Sequence, residues 1–330
     1  MKQFLQKKAK LVFLCMLVLL TCTACANPRG RDGKTLADQI IASEETTIDA
    51  SQINYKDISD KEVKKEIKKN IKDGQYTIQP TTFKNSMSKG WFEGLIVWPI
   101  AQIINLISSK TDAGVGIILT TLLIQMLVFV FTRKSQMSTQ RMQEISPEIQ
   151  KIQNKYKDKT DERSKMQMAQ EMQNLYQKYD IHPFGSMLIT FIQLPIMMGM
   201  YYATMRSVSV VSGSFMGISL AGTPLDGFKA LDIAYIAIYV LMVIFYIVSM
   251  KLPQWLKKWQ DKKDNVKVKK YAQEETNPMA NSMNMSMYFM TAMICIMYIS
   301  WPMAMSFYWL VSSVIRVCQS LILHQVMNKK

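Results

Sequence analysis

The sequence predicts an all-α membrane protein with five transmembrane helices, a cytoplasmic helical hairpin and an N-terminal interfacial helix. Three observations carry this. Hydrophobic residues make up 49% of the 330, yet the formal net charge is +15, a pairing foreign to a soluble enzyme and natural to apolar spans joined by basic loops. Five apolar stretches, near 113–132, 184–204, 230–250, 284–301 and 303–323, each approach the roughly 20 residues a bilayer requires. The basic residues concentrate in two of the intervening loops.

Residues 1–24 read as a lipoprotein-type signal peptide. Lys2, Lys7, Lys8 and Lys10 precede the apolar run Leu11–Leu20, which is short for a span. Cys22-Thr23-Ala24-Cys25 resembles a bacterial lipoprotein box, cleaved before Cys25 with a lipid on its sulfur, although Cys22 stands where Leu is preferred. An ordinary cleaved signal and a retained anchor are the other readings. All three place the following segment outside the cytoplasm. Residues 25–90 are polar and mixed, and read as a short helical and extended linker region rather than a catalytic domain. Over 91–108, Trp91, Phe92, Leu95, Trp98, Ile103, Ile104 and Ile107 suit a helix lying in the membrane interface.

The core follows over 109–325. Ten Lys and Arg residues fall in 133–182, from Arg133 to Lys178, and eight in 251–282, from Lys251 to Lys270. The loop 205–229 carries only Arg206 and Lys229. The positive-inside rule puts the two basic loops, and the short tail 326–330 with Lys329-Lys330, in the cytoplasm. An exported N-terminus followed by five spans ends there too. Within 133–182, Met137, Arg141, Ile145, Ile149, Ile152 and Tyr156, then Met168, Met172, Leu175 and Tyr179, recur at helical spacing around a turn near 157–161. That pattern predicts an antiparallel hairpin, its basic residues solvated or against anionic lipid. Trp301-Pro302 leaves almost no loop between the last two spans.

No chemistry of a nucleotide or metal enzyme is written in the chain. There is no phosphate-binding glycine loop and no evident catalytic triad. Cys15, Cys22, Cys25, Cys295 and Cys318 have no metal or disulfide spacing, and His182 and His324 lie far apart. No cofactor, metal or nucleic-acid partner is expected, and no enzymatic activity.

The polar residues of the spans are more telling. Arg316 lies deep in the last apolar stretch, where a cation costs about 2.5–3.5 kcal/mol on insertion scales. Ser312, Ser313, Gln319 and Ser320 stand three or four residues from it and share its helical face. The first span has Thr121 and Gln125, and the second Ser186, Thr190 and Gln193, at the same spacings. Such stripes also serve as glue between helices. Three of them with an arginine, and no acidic residue in any of these three spans, favour a wet, positively charged cavity. Gln125 is eight residues before Arg133 and Arg316 eight before His324, roughly 12 Å in each case. Both therefore belong to the cytoplasmic half of the bilayer, and the rival reading is that Arg316 snorkels to that interface.

At this point the chain resembles the YidC family of membrane-protein insertases, and its Gram-positive, lipoprotein-type members in particular. The resemblance rests on Gly114–Arg206, with GVGIILTTLLIQMLVFVFTRKSQ and EMQNLYQKYDIHPFGSMLITFIQLP, and on the closing WPMAMSFYWLVSSVIRVCQ of Trp301–Gln319. It implies insertion and folding of nascent membrane proteins through a hydrophilic groove without nucleotide hydrolysis. The bacterial cell membrane is the implied location, and lipids, the Sec translocon and the ribosome are candidate partners. It further implies that a first-span arginine draws in polar parts of the client. Here that position holds Gln125, the proline expected five residues later is Val130, and the second span opens with His182-Pro183 instead of Asn-Pro. Arg316 occupies a position that is small or polar in the family. The groove's charge is thus expected on the fifth span, with Gln125, Gln193, Gln319, Thr121, Thr190, Ser312 and Ser313 as polar lining. The 27 methionines would offer adaptable apolar contact surface. A small-solute transporter or channel is the main alternative, and a purely structural assembly factor another. An odd span number and the lack of an intramembrane carboxylate weigh against the transporter.

Overall fold

The computed structural model describes residues 28–157, 159, 161–181, 185–263, 288–289 and 291–328. The expected signal peptide with Cys25, much of the loop 251–282, part of the span 284–301, His182-Pro183 and Lys329-Lys330 lie outside them. The chain divides into two compact units. One takes in the described part of Met1–Thr120 with Leu194–Asp226 and Pro302–Tyr308; the other comprises Thr121–Gln193, Gly227–Trp301 and Trp309–Lys330.

In the first unit, residues 28–90 form a packed body with its own apolar core, where the sequence reading expected a linker. Strands β1 (Thr35–Leu36), β2 (Thr46–Asp49) and β3 (Ile53–Asn54) lead to helix α1 (Lys61–Asn70), then β4 (Ile71–Lys72) and β5 (Gln75–Ile78). β1 pairs with β3 in parallel, and β2, β5 and β4 make an antiparallel sheet in that order. Asp73-Gly74 turns the β4–β5 hairpin with both residues at positive φ, the backbone an Asp-Gly turn of type I′ supplies. Asp60 caps α1 by accepting from the Glu62 and Val63 amides, and Lys68 and Lys69 occupy its last turn, matching the helix dipole at both ends. Ile40, Ile48, Ile53, Ile58, Ile67 and Ile78 bury together with Val208 and Val211. The isoleucines alternate with polar residues along short segments, and their partners come from a distant part of the chain. Local periodicity therefore does not announce this core.

After α2 (Phe83–Lys89), a helical stretch begins at Trp91, passes through a wide π-turn at Glu93–Val97 and continues as α3 (Trp98–Ser108). One side is packed: Val97, Ala101, Ile104 and Asn105 are buried. Asn105 donates to the Ile41 carbonyl (2.8 Å) and accepts from Ser207 (2.5 Å), and Trp98 donates to the Thr81 carbonyl. Trp91, Leu95 and Leu106 stay exposed.

Helix α4 (Ala113–Glu144) runs unbroken for 32 residues, about 48 Å. In the second unit α5 (Ser146–Lys155) and α6 (Glu162–Lys178) pair in opposite directions. Tyr156 donates to Glu171 (2.9 Å) near one end, and Tyr179 to Glu148 (2.6 Å) near the other. Ile145, Leu175 and Ile181 form the core of the pair. Helices α7 (Gly185–Arg206), α8 (Val208–Val211), the hairpin β6 (Ser214–Phe215)–β7 (Ile218–Ser219), α9 (Pro224–Ala230), α10 (Ile233–Lys263) and α11 (Met303–Asn328) complete the described elements, and residues 291–298 are helical.

Ala113–Met142, Ile233–Gln260 and Met303–Val326 are long and apolar enough to cross a membrane. Their patterning is inverted relative to a soluble protein. On α4, Leu123, Met126, Leu127, Val130 and Phe131 are exposed while Thr121 and Gln125 are buried. On α11, Val314, Leu321 and Ile322 are exposed while Ser312, Ser313 and Gln319 are buried. Water would reverse that arrangement, whereas lipid favours it.

Candidate functional site in the helical core

Two of the polar stripes meet. Gln125 on α4 donates through Nε2 to Oγ of Ser312 on α11, at 3.1 Å, with both side chains buried. Thr121 lies one turn before Gln125 on the same face and is fully buried. Ser313, beside Ser312, is also fully buried, and among the described residues no hydrogen-bond partner meets its hydroxyl. Gln319 and Ser320 extend the stripe along α11, and the Ser320 hydroxyl is buried with no partner among the described residues.

Arg316 stands one turn beyond Ser312 and is half-buried. Its guanidinium carbon lies 5.5 Å from the ring centroid of Trp309 on the same helix. Seven residue steps along the helix set the two Cα atoms about 10 Å apart along the axis. The guanidinium is therefore drawn back toward the N-terminal end of α11, in the direction that helical Cα–Cβ bonds already lean. A snorkelling arginine would extend the other way, toward His324.

Trp309 is itself held by aromatic neighbours. Tyr298 lies against it with centroids 4.9 Å apart, and Tyr246 of α10 meets it edge-on at 6.1 Å. The ring is thereby fixed in place, and its face is offered to the cation, an arrangement worth about 2 kcal/mol or more when desolvated. Sequence reasoning left this cluster out. Trp309 could have been found, since a spacing of seven returns to the same helical face; Tyr246 could not, because nothing in its own segment points at α11.

Gln193 is half-buried on α7. Thr190 belongs to the same helix, but its side chain, like that of Ser186, lies outside the described residues, as does Cys25. A cavity of about 500 Å³ opens elsewhere in this unit, where α4 ends, lined by Arg141, Glu148, Lys178, Tyr179 and Asp180 among others. Arg141 and Asp180 approach to 3.5 Å there. The carboxylate of Glu148 pushes the Tyr179 phenol up from its usual range, because the hydrogen bond favours the protonated form.

In the first unit the buried charge is compensated. Arg206, at the end of α7, pairs with Glu93 and donates through Nε to the Gln39 carbonyl at 2.7 Å and through Nη2 to Gln39 Oε1 at 2.9 Å. Burial pulls Arg206 down from its ordinary range, and Glu93 opposes that shift.

Known proteins supply a comparison for this arrangement of apolar helices with a shared buried polar face. Residues 105–330 match the family described as 60Kd inner membrane protein. The chain belongs to this family. Among its relatives are the membrane protein insertase YidC 1 of Streptococcus pyogenes serotype M6, 30% identical over 72% of this chain and 75% of the relative, and YidC 1 of Listeria monocytogenes serotype 4b, 29% identical over 77% and 78%. Membrane protein insertase MisCA of Bacillus subtilis is 28% identical over 72% of this chain and 80% of its own length. The match begins within α3, so this YidC-family member carries its small β-containing body ahead of the shared region.

Proposed function

We propose that this YidC-family protein inserts nascent membrane proteins into the bacterial cell membrane and assists their folding, through a hydrophilic intramembrane groove whose positive charge is supplied by Arg316. The buried Gln125–Ser312 hydrogen bond is the observation that carries the reading, because it joins the first-span polar stripe to the stripe that holds Arg316. The relatives' printed function, membrane protein insertase, gives the class of client.

The topology proposed with it has five spans, adding 184–204 and 284–301 to the three apolar helices named above. The N-terminus is outside, lipid-anchored at Cys25, and the α5–α6 pair and C-terminus are in the cytoplasm. α3 lies in the outer interface, with Trp91, Leu95 and Leu106 toward lipid. In this topology the N-terminal end of α11 faces outward. The lean of Arg316 toward Trp309 then carries its charge away from the cytoplasmic interface and deeper into the bilayer. A cation there attracts a client's acidic or polar flank and lowers its desolvation cost, while the client's apolar segment partitions into lipid. No step calls for nucleotide hydrolysis. Gln125, Gln193, Gln319, Thr121, Thr190, Ser312 and Ser313 line the path, and the Sec translocon and ribosome are partners to be tested by co-purification.

The test is insertion of a reporter membrane protein in cells depleted of other insertases. Arg316→Ala should impair it, and Gln125→Arg in that background should restore it. Normal insertion by Arg316→Ala, with no crosslink from position 125 or 316 to a stalled nascent chain, would overturn the proposal.

A further inference from the structure

Helix α10 does not stop where an apolar span would. Its 31 residues measure about 46 Å, and a hydrocarbon core of about 30 Å accounts for roughly 20 of them. The remaining residues, from Pro253 to Lys263, carry the sequence PQWLKKWQDKK. At 100° per residue, Trp255, Lys258, Trp259, Lys262 and Lys263 fall on one side of this extension, and all five are exposed, Trp255 at 49% and Trp259 at 60%. Lys257 falls on the opposite side and donates to the Glu144 carbonyl at 2.7 Å, with Leu256 half-buried beside it. That contact fixes the roll of the helix, and with it the side on which the two indoles and the three lysines are exposed. Lys263 lies 5.7 Å from the centre of the Trp259 ring.

From this face we infer a docking surface for anionic lipid headgroups, formed by Trp255, Trp259, Lys258, Lys262 and Lys263 on the part of α10 that continues beyond its membrane span. Indole rings prefer the headgroup level of a bilayer, with the apolar body toward the chains and the N–H toward water. Lysines near an anionic leaflet gain about 1 kcal/mol each, an enrichment of about five-fold for each one engaged. The surface begins where the span ends and reaches only about 16 Å further, so the partner of matching charge at that distance is the membrane itself. The inference rests on α10 crossing the bilayer and is independent of whether the protein inserts clients.

Full-length protein reconstituted in phosphatidylcholine vesicles, doped with either brominated phosphatidylglycerol or brominated phosphatidylcholine, tests it. The fluorescence difference between the parent and the W255F/W259F variant isolates the two indoles. That signal should be quenched several-fold more by the anionic lipid. The K258Q/K262Q/K263Q variant, altered only at exposed positions, should lose the preference, as should molar salt, which shortens the screening length to about 3 Å. Equal quenching by the two lipids, or none, would overturn the inference. So would a single-stranded RNA oligonucleotide that shields the indoles without any lipid preference. Client insertion measured in the same vesicles separates the two ideas: insertion lost with the lipid preference intact counts against the proposed function alone.

Discussion

Arg316 and Trp309, seven positions apart in sequence, face one another along α11, guanidinium over indole at 5.5 Å. The cation is thus neither stranded nor reaching for water at the helix end. Its desolvation is offset by a ring whose quadrupole needs no counter-charge. Trp309→Leu should release the arginine toward the C-terminal end of α11 and weaken insertion even though the charge remains. Arg316→Lys should retain more activity than Arg316→Ala but less than the parent, since lysine keeps the charge and loses the planar stacking. Reporter insertion compared across the three variants checks the order; equal activity of Trp309→Leu and the parent would show that position along the helix does not matter.

How much of this could be read from the sequence differs sharply between the halves of the chain. The polar faces of the first and last spans follow from spacing alone, because a helix of known period in lipid leaves polar residues few places to go, and the Gln125–Ser312 contact joins faces that the pattern had already defined. The partner of Arg316 was legible only as a same-face residue at i−7, and the fixing of Trp309 by Tyr246 depends on tertiary packing that no local pattern encodes. The body at 28–90 was misread as a linker because its core is assembled from single isoleucines on short strands, closed by Val208 and Val211 from far along the chain. One local signal was available there: Asp73-Gly74 between Ile71-Lys72 and Gln75–Ile78 is a hairpin turn by chemistry.

Where α5 and α6 pair, Glu171 accepts from Tyr156 and meets Lys155 at 2.5 Å. Lys155 first, then Tyr156, hold its carboxyl below the usual carboxylate range. A depressed folded-state value means that the contact contributes stability above the unfolded carboxylate's value near 4.5 and loses that contribution as pH falls through the depressed one. Carbon-detected NMR of the Glu171 carboxyl should show a midpoint below the ordinary glutamate value near 4.5, and Lys155→Gln together with Tyr156→Phe should move it up. An unchanged midpoint in the double variant would refute the assignment.

Gln125 and Ser312 offer a double-mutant cycle inside the helical core. Hydrogen bonds between membrane helices average about 0.6 kcal/mol, because the separated helices also find partners. Gln125→Ala and Ser312→Ala should each destabilise the detergent-solubilised protein by at least that much, Gln125→Ala more because it also opens a space. Combining them should cost less than the sum, with a coupling of about 0.6 kcal/mol. Strict additivity in reversible unfolding would mean that the contact carries no energy of its own.

Glu93 and Arg206 should give the largest single effect on stability. Their side chains are 12% and 7% exposed, and Arg206 also donates twice to Gln39, so the pair ties the π-turn before α3, the end of α7 and the segment after β1 into one network. Removing one partner from a buried ion pair costs about 3–5 kcal/mol, chiefly because the survivor is left charged and desolvated. Glu93→Ala should therefore loosen residues 28–90 and expose Lys61–Asn70, rich in trypsin sites, to limited proteolysis. Arg206→Met combined with Glu93→Met should recover much of the resistance, since no charge is then stranded. If the double variant were cleaved as readily as Glu93→Ala, the loss would have to be assigned to packing around Gln39 rather than to the unpaired guanidinium. If Glu93→Ala were as resistant as the parent, the network would not be what holds the small body to the rest of the first unit.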